Sequence, residues 1–142
     1  MPLLNRDGPT PETWTGDLLP PEALADEASP PPAGPLALDW PSDRDPAGLA
    51  PWLDRLALVC VRFPAMSDGR GFSIARRLRA MGYAGRLRAS GPLIADQAAA
   101  AWAVGFDELE IPESVMARQP EAIWSQGARP SRPSYQHKLG LR

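Results

Sequence analysis

From Pro35 onward, short apolar runs alternate with stretches of helical period, the pattern of a parallel sheet joined by crossover helices. LALDW (36–40) predicts a first strand, and DPAGLAPWLDRL behind it a short helix weakened by Pro51. LALVCVRF (56–63) is apolar at successive positions, as a central strand buried on both faces must be. Phe72, Ala75, Leu78 and Met81 then recur on one helical face, with Arg76, Arg77 and Arg79 mostly on the others. GRLRAS (85–90) gives a third, shorter strand, LIADQAAAAWAVG a second helix capped at Gly105, and FDELEI (106–111) a fourth strand. ESVMARQPEAIWSQG predicts a last helix, bent or divided at Pro120, and the tail from Ala128 reads as irregular.

Before Pro35 this alternation is missing. Twelve of the eighteen prolines precede Trp52, including Pro20–Pro21 and Pro30–Pro32, in a context poor in branched aliphatics. Such a segment builds no regular interior element, so residues 1–34 are expected to form a proline-rich acidic arm, extended or partly ordered. Trp14, Leu18, Leu19 and Leu24 could dock it on the domain or on a partner. The predicted fold class is therefore α/β, a small, mainly parallel sheet of about four strands with crossover helices. The α/β domain spans residues 35–127, preceded by the arm and followed by an irregular tail over 128–142.

Size and composition bound this picture. A chain of 142 residues can bury one core, whereas a complete eight-stranded parallel barrel needs roughly 250 residues. No apolar run approaches the roughly 20 residues that cross a bilayer. The start MPLLNRDGPT lacks a basic, apolar secretory leader, so no membrane partner is expected and the cytoplasm is the expected compartment. Cys60, the single cysteine, sits inside an apolar run. It is expected to pack as a small hydrophobe and supplies no disulfide or multi-cysteine metal site. His137, the single histidine, stands in a polar tail and gives a catalytic triad or a two-histidine metal site little to build on. Neither a metal nor a bound cofactor is expected.

Charge is polarised although the formal net charge is −2. Residues 1–35 hold six carboxylates against Arg6, and residues 62–88 hold seven arginines against Asp68. A basic patch could face nucleic acid, an acidic protein or a small anion. The chain has one lysine, Lys138, and is rich in Ala, Arg and Pro, so a compositional bias accounts for much of the arginine. The aromatic interleaving of single-strand binders is also missing, which disfavours nucleic acid.

The segment FPAMSDGRGFSIARRLR (63–79) concentrates the candidate chemistry, because it joins the central strand to a helix through a polar turn. Gly69 and Gly71 let the backbone turn and approach a ligand, while Asp68, Arg70 and Ser73 supply an acceptor, a cation and a hydroxyl. In parallel sheets ligands bind beyond the carboxyl ends of the strands. The turn ASGP (89–92) leaves the third strand at the same edge, which makes the two turns neighbours and adds Arg88, Ser90 and Gly91. Helix N-termini there create a positive field suited to a small oxyanion such as sulfite, sulfate or a phosphate group. Asp96 and Gln97 interrupt an otherwise small, apolar helix and either reach that site or satisfy a neighbouring turn. A purely structural reading is equally open: Asp68 caps the helix, Arg70 pairs with Asp68 or Asp96, and Ser73 satisfies the first turn.

These blocks resemble a bacterial family of uncharacterised proteins, a domain of unknown function described as probable oxidoreductases involved in sulfite reduction. Its members are encoded beside assimilatory sulfite or nitrite reductase genes. The resemblance covers about residues 36–112. It rests on Phe63, Pro64, Asp68, Gly69, Arg70, Ser73, Ala75, Arg76, Leu78 and Arg79. Leu87, Arg88, Ala89, Gly91, Asp96, Gln97, Gly105, Phe106 and Asp107 continue it, and Tyr135 and Gln136 resemble a weaker C-terminal pattern. The chain departs from many members at Pro92, where they place an acid.

Two functions follow as expectations. The first is an accessory protein of assimilatory sulfite reduction that binds a small oxyanion and contacts the sulfite or nitrite reductase or its electron donor. The second is an oxidoreductase with a borrowed or unadvertised redox cofactor, in which Asp68 or Asp96 transfers protons and Arg70 or Arg88 stabilises charge. No cysteine cluster, dinucleotide fingerprint or haem-ligand set is visible, which favours the first. Exposed sheet edges would permit pairing with another copy of the chain.

Overall fold

The computed structural model describes residues 3–14, 16–26, 28–64, 69–93 and 97–116. Its centre is a run of four parallel strands, β3 (Leu36–Pro41), β4 (Leu56–Arg62), β5 (Arg86–Ser90) and β6 (Glu108–Glu110), hydrogen-bonded in that order. Each lies within the run that hydrophobic patterning marks, apart from a one-residue extension of β3. Two further strands come from the arm: β1 (Leu3–Asn5) pairs antiparallel with β6, and β2 (Gly8–Pro9) pairs with β1. The sheet therefore has six strands rather than about four, because proline-flanked pieces too short to show an alternating pattern still satisfy an edge.

The connections explain which face is apolar. A 3-10 helix, Pro46–Arg55, links β3 to β4; α1 (Arg70–Ala80) links β4 to β5; α2 (Ala98–Val104) links β5 to β6. The first is a 3-10 helix where a short helix is expected. It carries Pro51 in its interior, and Asp45 caps it by accepting from the Ala47 N–H at 2.8 Å. Strands that step in one direction through right-handed crossovers place every connection on the same face. That face holds the core: Leu38, Trp40, Val59, Val61, Leu87, Ala89 and Leu109 pack with Ile74, Ala75 and Leu78 of α1 and Ala98, Ala101 and Trp102 of α2. Gly105 ends α2 at φ 110°, where its N–H caps the carbonyls of Ala101 and Trp102. Of the predicted last helix, α3 (Glu113–Met116) is described, and Pro120 and the tail lie outside the described residues.

The opposite face carries the alternate residues in cross-strand rows. Pro41, Arg62, Ser90 and Glu110 form one row, and Asp39, Cys60, Arg88 and Glu108 the next. Among the described residues no crossover helix covers it, and the arm lies there instead. Glu12 reaches Arg88 and Arg86, and Leu19 then pairs with the outer edge of β3, donating to the Ala37 carbonyl and accepting from the Asp39 N–H, each at 2.8 Å. Leu19 and Leu24, the latter in a 3-10 turn (Pro21–Leu24), pack against the core. With Leu19 on one edge and the two-residue β2 at the other, the described sheet offers no long open edge for pairing with a second copy.

Candidate functional site

Phe63 follows β4 and fixes the geometry at the strand ends. Its N–H donates to the Ser90 carbonyl at 2.8 Å, and its ring stands edge-on to Phe72 at 5.1 Å and Phe106 at 5.9 Å between centroids. Gly71 lies in the first turn of α1 directly against this ring, where a Cβ would collide with it. Its missing side chain thus serves close helix–strand packing. Gly91 follows β5 at φ 147° with its Cα pressed against the Phe63 carbonyl, and its N–H donates to the Glu110 carbonyl at 3.1 Å. The turns after β4 and β5 are neighbours as a result.

Between them opens a cleft of about 480 Å3. Pro41, Ser42 and Asp43 line it from the end of β3, Arg62, Phe63 and Pro64 from β4, and Ser90 and Gly91 from β5, with Arg70 at the start of α1. The β3 contribution is held in a tight turn: the Arg44 N–H donates to the Pro41 carbonyl at 3.4 Å, and the Trp40 indole N–H donates to the Arg44 carbonyl at 2.9 Å. The Arg44 guanidinium lies over the Trp40 ring at 5.3 Å. Asp45 just beyond accepts from Arg77 of α1 at 2.8 Å, fastening this loop to the helix.

Arg62 sits at the centre of the described polar groups. It donates through Nε to Asp39 at 2.6 Å and through Nη1 to the Ser90 hydroxyl at 2.9 Å, with Glu110 at 3.7 Å. Ser90 in turn donates to Glu110 at 2.7 Å. The Asp39 hydrogen bond raises the Arg62 pKa despite partial burial, so the guanidinium stays charged. Ser90 is poorly suited as a nucleophile, since Arg62 draws on its oxygen lone pair.

Arg88 belongs to a different cluster. Its side chain is 3% exposed and is gripped by Glu12 through two bonds of 2.6 and 2.8 Å and by Glu108 at 3.1 Å. Burial works to lower its pKa, and the two carboxylates outweigh that and hold it above the usual range. The hydrogen bond from Arg88 is the largest cause holding Glu12 down at about 2. Arg86 joins through Glu108 at 2.7 Å. Cys60 lies on the same face, fully buried, and burial pushes its thiol up to about 12, so it carries no thiolate at neutral pH.

Of the residues singled out from the sequence, the cleft brings together Arg70, Ser90 and Gly91. Gly69, Gly71, Ser73, Arg88 and Gln97 do not line it, and Asp68 and Asp96 lie outside the described residues. Gly69 is the N-cap residue of α1 at φ −89°, a conformation open to any residue, and Gln97 holds the same place before α2. Arg62, Ser42 and Asp43 go unnoticed in the sequence. Arg62 is detectable by parity, since strand alternation puts it on the face of Asp39 and away from Val61 and Phe63.

Carboxylates offset five of the seven arginines in the run 62–88. Arg62, Arg77, Arg79, Arg86 and Arg88 each meet a carboxylate from another segment. No group of His, Cys, Asp and Glu among the described residues could hold a metal ion, and no described helix is long and apolar enough to cross a membrane. The profile of a bacterial protein family of unknown function (DUF934) matches residues 37–140, and the chain belongs to that family. No curated protein and no solved structure matches it.

Proposed function

We propose that this family member is a non-catalytic accessory protein of assimilatory sulfite reduction, which binds a small oxyanion in the strand-end cleft and contacts the reductase or its electron donor in the cytoplasm. The observation that carries the anion-binding part is the convergence of Arg62 from β4 and Arg70 from the first turn of α1 on one cleft at the carboxyl ends of parallel strands. The link to sulfite reduction comes from the likeness of the 63–79 and 87–107 blocks to proteins encoded beside sulfite and nitrite reductases. The described side chains that line the cleft offer charge, hydroxyls and proton-transfer capacity, which supports binding over electron transfer.

Calorimetric titration of the full chain with sulfite and sulfate tests the site. Arg70→Ala, at an exposed position, should weaken binding by tenfold or more, about the worth of one charge-assisted contact, with an unchanged circular dichroism spectrum. Equal affinity in the variant and the parent would refute the site. Co-purification with the reductase tests the accessory role. Oxidation of NADPH by the isolated chain in the presence of sulfite would replace that role with an oxidoreductase one.

A further inference from the structure

We infer that the natural occupant of the cleft is a hydroxylated organic phosphate or sulfonate rather than a bare inorganic ion, an inference that rests on the anion-binding reading above. The first ground is size. A volume of about 480 Å3 falls inside the range of roughly 300–1,000 Å3 that suits organic ligands, and a tetrahedral ion fills a small part of it.

The second ground is charge. Arg62 already meets Asp39 at 2.6 Å and has Glu110 at 3.7 Å, and Asp43 faces the cleft from the β3 turn. Arg62 is thus already set against Asp39 and Glu110, and Asp43 adds a further carboxylate beside the cleft. A compact dianion placed among them is repelled by Asp43 as well as attracted by Arg70. A ligand that separates its charge from its hydrogen-bond donors avoids this conflict, with the anionic group toward Arg70 and the start of α1 and a hydroxyl donating to Asp43. Pro41 and Pro64 supply apolar surface for the body between these two ends.

The third ground is preorganisation. Asp43 is exposed but does not hang on a loose loop, because the Pro41–Arg44 turn is closed by a backbone bond and by the Trp40 indole. A hydroxyl partner therefore meets an acceptor carried on an ordered backbone turn, which limits the ordering cost of binding to the Asp43 side chain.

The test compares inorganic phosphate, phenyl phosphate and ribose 5-phosphate by calorimetry on the full chain. Ribose 5-phosphate should bind about tenfold or more tightly than either of the others, the worth of one hydrogen bond to a charged acceptor. Asp43→Asn should erase most of that advantage while leaving inorganic phosphate equally or more tightly bound. Equal binding of phosphate and ribose 5-phosphate would overturn the organic-ligand inference and leave the anion site standing. Phenyl phosphate matching ribose 5-phosphate would overturn the role of the hydroxyls, as would an undiminished advantage in Asp43→Asn. Failure of all three probes to bind, together with sulfite and sulfate, would overturn the anion-binding reading itself.

Discussion

The Glu12–Arg88–Glu108 cluster makes the arm part of the folded domain, and Glu12→Gln measures how firmly. Glutamine keeps the shape and removes the charge from the side of Arg88 that faces the arm. A carboxyl held down from 4.5 to about 2 corresponds, at 1.36 kcal/mol per pH unit, to about 3.4 kcal/mol. The Glu12 side chain is 45% exposed, so solvent screening reduces this to about 1–2 kcal/mol. Arg88 retains Glu108, which keeps the loss below the roughly 3–5 kcal/mol of a buried charge left without any partner. Urea unfolding at pH 7, followed by tryptophan fluorescence, should show the midpoint lowered by about 0.5–1 M with an unchanged slope. Because the folded pKa lies below the unfolded one, the contribution is complete above pH 4.5 and fades as pH falls toward 2. The gap between parent and variant should close over that window. Identical midpoints at pH 7, or a gap that persists undiminished at pH 2.5, would refute the clamp.

Two further substitutions probe how the strand ends are held. Gly91→Ala places a methyl against the Phe63 carbonyl at a φ of 147° and should cost about 2 kcal/mol or more; a melting temperature equal to the parent's would show that the two turns are not in contact. Arg79→Ala removes bonds to the carbonyls of Gly105, Tyr83 and Gly85 and to Asp107. Chemical denaturation should register a loss of about 2–4 kcal/mol, and a loss under 0.5 kcal/mol would show that the helix ends are capped by other means.

The four parallel strands and the two crossover helices are legible because each has a local period and a clear stop, Gly105 being the plainest. The arm strands are not, since Leu3–Asn5 carries too few residues to alternate and its stability comes from β6, more than 100 residues away in sequence. Charge is misleading for a similar reason. Arg88 looks like a ligand residue beside an ASGP turn, yet strand parity sends it to the face where Glu108 waits across β6 and Glu12 arrives from the arm. Arg62 looks like the polar end of an apolar strand, yet the same parity aligns it with Glu110 and with Ser90, which lines the cleft beside it. Arg79 stands in the motif among exposed arginines, yet it is spent on the carbonyls at the ends of α1 and α2. A cation's role here depends on which carboxylate reaches it, and those partners lie up to 76 residues away.

The order of the strands ties the arm to the cleft. Because β3 to β6 step in one direction, their crossovers share one face, and a second cover must come from outside the repeating pattern. The arm supplies it and ends its crossing on Asp39, whose backbone N–H donates to Leu19 at 2.8 Å. The side chain of the same residue holds Arg62 at 2.6 Å, and Arg62 donates to Ser90, which lines the cleft with it and donates in turn to Glu110. One residue therefore fixes both the far anchor of the arm and the orientation of the central cation. The deeper row, Arg88 with Glu108, is closed by Glu12, while the row above it, Arg62 with Ser90, remains open to the cleft. The proline-rich segment thus decides which of the two arginine rows a ligand can meet.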